Sequence, residues 1–303
     1  MGEVVAAALL SHVPTIMLPQ EVRYELNDGK EISIVTGLER LRKEKFETLD
    51  YDTVIVLDSH WFTTVEFVVT SHARRAGLFT AEELPRGMCR IPFEWRGDPE
   101  LAEAIAARGE PNGTWITAID DEYLPLYYPS LNLWSYLGKG MDKRWISVSV
   151  CQTGETDDFL RVGRAIGEAV AASDRKVILI ATGSLSHTFY KLKELRKHES
   201  SDPSHIISQK ARDMDMERLG WFAEGRHDRV LETMPEFMTV RPEAMFAHYL
   251  MMAGAMGEAD FIAPGVQYSD YENAIGTSQV HVWFDRPATG WTRATQGVQK
   301  ASA

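Results

Sequence analysis

The sequence predicts an α/β fold: a single domain built on a mixed, largely parallel sheet flanked by helices. Three observations carry this. Short, continuous apolar runs recur at Val4–Leu10, Thr53–Leu57 and Lys176–Ala181, as strands covered on both faces require. Stretches between them carry apolar residues at helical spacing. The two kinds of segment alternate, the order that gives crossover connections and parallel strands.

Val4–Leu10 is the first strand. After a polar loop, Thr36–Leu49 reads as a helix with Leu38, Leu41 and Phe46 as its stripe. Thr53–Leu57 is the second strand and Val65–Thr70 a third. His72 to Trp95 is loop-rich, broken by Pro85, Gly87 and Pro92. Asp98 and Pro99 suit the N-cap and first position of a helix ending at Ala107. The stretch EYLPLYYP, 122–129, reads as a pocket wall or interface loop. Trp145–Val150 is a strand, Asp157–Ala172 an amphipathic helix, and Lys176–Ala181 the next strand. Ser204–Phe222 reads as a long helix capped by Asp202 or Ser204, His227–Met234 as a short one, and Pro242–Met256 as an apolar one. Gln279–Phe284 closes the sheet. No repeat or low-complexity linker divides residues 1–303, and about 288–303 reads as a loose C-terminal tail.

Composition narrows the function. The chain of 303 residues is 44% hydrophobic and 25% charged, the make-up of a soluble globular protein with a sizeable core. A net charge of −12 argues against nucleic acid or anionic membranes as partners, since both require clustered Lys and Arg. The two cysteines, Cys89 and Cys151, make no disulfide framework, and no CxxC pair offers a zinc–thiolate site. The start, MGEVVAAALL, lacks the basic end and long apolar core of a signal peptide. No apolar run approaches the ~20 residues of a membrane span. A cytoplasmic location is expected.

Three of the apolar runs deliver a histidine at or just past their ends: His12, His60 and His187. In open α/β sheets ligands sit at the carboxyl ends of strands, so these imidazoles are expected to meet in one crevice. A lone histidine there is more often a hydrogen-bonded structural residue, but three with one placement are less easily set aside. Asp58 either orients a ligand imidazole or is a satisfied strand-end carboxylate. His198, His205 and His227 lie in charged, solvent-facing contexts, and His248 sits in the apolar helix as core or pocket.

Without thiolates, zinc, iron, manganese and copper all suit such a site. A third ligand of carboxylate type would make a triad with open positions, which suits Fe(II) oxygen chemistry. Glu243 stands out as the single carboxylate opening an apolar helix, although a Glu in a first helical turn is also favoured by the helix dipole. Phosphate-binding glycine loops, HExxH and GxSxG are absent. Asp213, Asp215 and Glu217 read as a solvated charge pattern on a helix.

SHVP (11–14), VIVLDSHW (54–61), FTAEELP (79–85), ATGSLSH (181–187) and the Glu243 helix together resemble the class III extradiol ring-cleavage dioxygenases, most closely their homoprotocatechuate-cleaving branch. The resemblance spans most of the chain. It implies an α/β fold of that type, one Fe(II) held by His12, His60 and Glu243, and His187 as an acid/base group that is not a ligand. It also implies a homodimer or homotetramer acting on a small aromatic diol and O2. Trp61, Phe62, Tyr123, Tyr127 and Tyr128 are candidates for an aromatic wall, with His248 beside it; each is individually as well explained by packing. A 3,4-dihydroxyphenylacetate-like ring is favoured. An aminophenol, a biphenyl diol, an alkylcatechol or a gallate-like ring remain alternatives, as do a zinc hydrolase with the same ligands and a binding protein of the same superfold.

Overall fold

The computed structural model of the protein describes residues 1–293. The N-terminal part contains β1 (Glu3–Leu10), α1 (Gln20–Leu26), α2 (Ser33–Leu41), β2 (Thr53–Thr63), β3 (Phe67–Thr70), β4 (Arg74–Phe79) and β5 (Ile91–Arg96). The middle contains α3 (Pro99–Ala107), β6 (Ile116–Ile119), α4 (Tyr128–Leu137), β7 (Arg144–Cys151), α5 (Thr156–Ala172) and β8 (Lys176–Thr182). Then follow α6 (Leu192–Leu195), α7 (Gln209–Glu224), α8 (His227–Glu232), α9 (Met234–Phe237) and α10 (Ala247–Ala255). The chain ends with β9 (Gly265–Gln267), β10 (Glu272–Ala274), β11 (Thr277–Gln279) and β12 (His281–Asp285).

Ten strands form one sheet in the order β4-β5-β7-β2-β8-β1-β12-β9, with β3 joined to β7 and β6 to β3. The central four, β7, β2, β8 and β1, are parallel. β12 lies antiparallel to β1, and β9 to β12. The expected α/β class holds. The apolar runs split between the two faces with the period of two that a strand imposes. Leu9, Ile55, Leu57, Leu179 and Ala181 pack on the α5–α10 side. Ala8, Leu10, Val54, Val56, Ile178 and Ile180 pack on the α2–α4 side. α5 and α10 approach backbone to backbone, since a Cβ on Gly163 would lie 2.2 Å from the Met251 carbonyl. Among the described residues no helix is long and apolar enough to cross a membrane.

Several elements differ from expectation. The loop-rich stretch from His72 holds the hairpin β4–β5, with Pro92 paired to Leu78. β5 meets β7 only through Arg96 and Arg144, so the donor that Pro92 lacks is not needed by a second strand. The segment at 122–129 runs into α4, whose Pro129 occupies the first turn. α4 is buried on almost every side, so it shows no apolar stripe. The helix expected over Thr36–Leu49 is α2, followed by a π-helical turn at Arg42–Phe46. α7 starts at Gln209, with Ser208 accepting from the Ala211 amide, while Asp202 caps a separate turn at Pro203–His205. β12 does not close the sheet, because β9 lies outside it. Trp291 ties the chain beyond β12 to Val4 through its indole N–H; the remainder of the expected tail, 294–303, lies outside the described residues.

His227 is fully buried, not solvated: it stacks on Phe261 at 3.5 Å and bonds Tyr249 and Ala263. Burial lowers His227, His248 and His281 to about 4 each. The unfolded chain therefore binds protons that the native state refuses. The stability these groups contribute is complete above their unfolded value of ~6.5 and is lost as pH falls towards 4. Unfolding by urea is expected to show it, with up to about 1.4 kcal/mol lost per pH unit for each imidazole. A flat profile across that window would mean the three are charged in the native state.

Candidate metal centre

Because β2, β8 and β1 are adjacent and parallel, their carboxyl ends share one edge of the sheet, and the histidines meet there. Ser11 and His12 follow β1 directly. The His12 Nδ1 lies 2.6 Å from the Thr182 hydroxyl at the end of β8, and the Asn132 amide donates to the His12 carbonyl. The Nε2 atom is thereby turned to Glu243 Oε1, at 3.4 Å.

His60 lies within β2 rather than beyond it. Leu57 is opposite Val148 and Phe62 opposite Val150, so residues 58–61 bulge out of that ladder, and a bulge re-aims a side chain. Asp58 accepts from the His60 backbone N–H at 3.0 Å and from the Ser130 hydroxyl at 2.7 Å. It fixes the bulge and, among the described residues, accepts from no imidazole, which favours the reading of a satisfied strand-end carboxylate. His60 Nε2 lies 3.4 Å from Glu243 Oε1.

Glu243 is not in the first turn of a helix. Ala244, Met245 and Phe246 have φ of 47°, 58° and 62°, and α10 begins only at Ala247. Three consecutive non-glycine residues in the left-handed region cost roughly 1–2 kcal/mol each. Phe246, packed on Phe237 and Tyr249, holds the turn in place, and strain of this kind gathers at functional sites. The helix-dipole explanation of Glu243 therefore falls. The 241–243 segment instead runs alongside Leu185–His187, with Glu243 N donating to Leu185 O and His187 N to Arg241 O. Glu243 Oε1 accepts from the Ser59 hydroxyl, and Oε2 from the Ser184 amide at 2.6 Å.

Burial would raise the Glu243 carboxyl, but His12, His187 and His60 outweigh it and hold it well below the usual carboxylate range. Burial lowers His12 to about 3 against the pull of Glu243. Burial also disfavours charge on His60, yet its contact with Glu243 prevails and raises it. A neutral imidazole and an ionised carboxylate are the forms that ligate metals. One donor atom from each of His12, His60 and Glu243 falls within 4.8 Å of the others, and among the described residues no other such group occurs. The donor set of two nitrogens and one carboxylate oxygen fits a divalent transition metal.

His187 stands apart from this trio. Its Nε2 is 3.7 Å from the other carboxylate oxygen, Oε2, and its ring meets Phe189 edge-on. Burial lowers its pKa. The Tyr128 hydroxyl lies 2.9 Å from His60 Nε2, and Trp61 is buried with its ring stacked near Tyr127. Tyr123 does not join this wall: it is 83% exposed, on the surface. Phe62 is also exposed. His248 is packed in the interior against Phe246, and a Cβ on Gly183 would lie 2.5 Å from its ring. Sequence reasoning missed Thr182, Ser59, Ser184 and Asn132 as supports. The signal available was a small polar residue beside a histidine or inside the ATGSLSH stretch, which covers Ser59, Thr182 and Ser184 but not Asn132.

Two imidazoles and a carboxylate at the carboxyl edge of a parallel sheet make a candidate metal site in a protein of the α/β class. The chain belongs to the family described as the catalytic LigB subunit of aromatic ring-opening dioxygenase, whose model matches residues 6–278. It is 28% identical over 240 residues to the 3,4-dihydroxyphenylacetate 2,3-dioxygenase of Escherichia coli, covering 78% of this chain and 84% of that protein. It is 22% identical to a 2-aminophenol 1,6-dioxygenase beta subunit from a Pseudomonas species, covering 96% and 97%. A crystal structure titled uncharacterized protein JW3007, from Escherichia coli K12, shares the fold with a TM-score of 0.58 at 15% identity, over 92% of this chain and 99% of that one. The protein is thus an extradiol, aromatic ring-cleaving dioxygenase, which sets aside the hydrolase and binding-protein alternatives.

Proposed function

We propose that the chain is an Fe(II)-dependent dioxygenase that opens a catechol-type ring with O2 to a muconic semialdehyde in aromatic degradation. His12, His60 and Glu243 would hold the ion. The observation that carries this is the convergence of both imidazole Nε2 atoms on Glu243 Oε1, each at 3.4 Å. Fe(II) supplies a redox-active centre that relieves the spin barrier between triplet dioxygen and a singlet ring. Two neutral imidazoles and one carboxylate leave a site charge of +1, which favours a diol bound as its monoanion.

The residues around the site supply the proton handling. His187, kept neutral by burial, accepts a proton from a substrate hydroxyl and later returns it to the departing oxygen. Tyr128, whose pKa burial raises, keeps its hydroxyl proton and can donate a hydrogen bond beside His60. Trp61 and Tyr127 give the ring an apolar flank.

A 3,4-dihydroxyphenylacetate-like substrate is favoured. A cavity of about 390 Å³ is lined by Val13, the residue after His12, with Leu84, Ile275, Arg86 and Arg196 among its walls. Arg86 is paired with Glu199, while Arg196 makes no ion pair among the described residues and is free to meet a substrate carboxylate. Glu83 lines the same cavity and confines a carboxylate to the Arg196 side. An aminophenol is the second reading, supported by the Pseudomonas relative. A homodimer or homotetramer working in the cytoplasm completes the proposal.

Oxygen uptake by anaerobically purified, Fe(II)-loaded protein tests it. One O2 consumed per 3,4-dihydroxyphenylacetate, with a yellow product, is expected. Faster turnover of 2-aminophenol would transfer the assignment to that ring. No uptake on any diol or aminophenol, with iron bound, would refute the iron reading.

A further inference from the structure

We propose that Asp215 is a positioning residue for His187, acting through Ser186. The proposal rests on His187 being the proton-transfer group, as argued above. His12 and His60 are held by strands, but His187 lies five residues beyond the end of β8, on the strap Gly183–His187. Among the described residues its ring makes a hydrogen bond to its own backbone, the 3.7 Å approach to Glu243 and an edge contact with Phe189. The backbone must therefore set its direction.

Asp215 projects from α7 and is fully buried. One oxygen accepts from the Ser186 amide at 3.0 Å, and the other from the Ser186 hydroxyl at 2.6 Å. The Tyr271 hydroxyl donates to that second oxygen at 2.7 Å. Two bonds to one residue fix both its place and its rotation, and the next peptide carries His187. The neighbouring Arg218 donates to Met214, Glu217 and Thr233, and although its charge is felt by Asp215 through space, the hydrogen bonds that hold the carboxylate come from Ser186, Tyr271 and Ser278. A carboxylate buried in this way is costly, and an apolar residue would anchor α7 at least as well. Both oxygens are committed to the strap and to the tyrosine that steadies them. The Ser278 amide donates to the Ser186 carbonyl at 3.0 Å and fixes the far side of the same peptide.

The test is a double-mutant cycle on the metal-loaded enzyme. Asp215→Asn keeps the size and one acceptor but turns an amide N–H towards the Ser186 and Tyr271 hydroxyls. We expect kcat to fall roughly 10–100-fold, the scale of a displaced catalytic group, with KM and bound metal within about twofold. Amide exchange in the 183–187 peptide should quicken by about tenfold or more. In a His187→Phe background the same substitution should cost less than about twofold, because no imidazole remains to be aimed. Equal losses in both backgrounds, lost metal, or unchanged kcat despite a loosened strap would overturn the proposal. If Asp215→Asn does not fold, Ser186→Ala and Tyr271→Phe, each removing one hydroxyl donor, are read through the same cycle. Wild-type turnover by His187→Phe alone sinks the acid–base reading and this proposal with it, whereas failure of the cycle alone leaves His187 standing.

Discussion

Glu243→Ala is expected to abolish metal binding while leaving the chain folded. The carboxylate is the only anionic donor of the trio, and both imidazoles converge on its Oε1. Two neutral nitrogens left alone hold a divalent ion poorly, so the loss should exceed the ~10–100-fold that removal of a mere supporting partner costs. The fold should weaken by about 1–3 kcal/mol, since the Ser184 amide loses its acceptor. Glu243→Gln separates the two effects, because its carbonyl can still accept from Ser184 while its charge is gone. Elemental analysis after dialysis, beside a thermal melt, reads both variants. Stoichiometric metal in Glu243→Ala would show that the ligand assignment is wrong.

His187→Phe should keep metal and substrate binding and slow turnover by roughly 10²–10⁴-fold, the usual scale of general acid–base catalysis. The ring lies on the Oε2 side of Glu243, outside the trio that shares Oε1, so its loss removes no metal donor. Phenylalanine has similar bulk and preserves the edge contact with Phe189. Single-turnover measurements with substrate saturating distinguish slowed chemistry from weakened binding. Unchanged turnover would remove His187 from the mechanism, and lost metal would make it a ligand.

The strands of the centre were legible because each is a short apolar run with few alternatives to burial on both faces. The caps at Asp98 and Glu155 rest on local hydrogen bonds, and Asp98 was readable from its neighbours alone. α4 was not, because a helix buried all round shows no period. Asp215 and His227 looked solvated among charged neighbours in sequence, yet both are fully buried. Their partners, Ser186 and Tyr271 for one and Phe261 and Tyr249 for the other, lie on distant segments.

The sequence by itself determined the α/β class and which strands carry His12, His60 and His187, because burial on both faces dictates residue type position by position. Glu243 could be singled out, but its role stood undecided between a helix-dipole partner and a ligand. Only the tertiary structure removed the helix-dipole reading. The left-handed turn at Ala244–Phe246 takes Glu243 out of the helix and lays it beside Leu185. Neighbouring parallel strands then bring two imidazoles to one carboxylate oxygen from positions as far apart as residues 12 and 243. A turn that local propensity opposes forms only when distant packing holds it, and no reading of nearby residues contains that information.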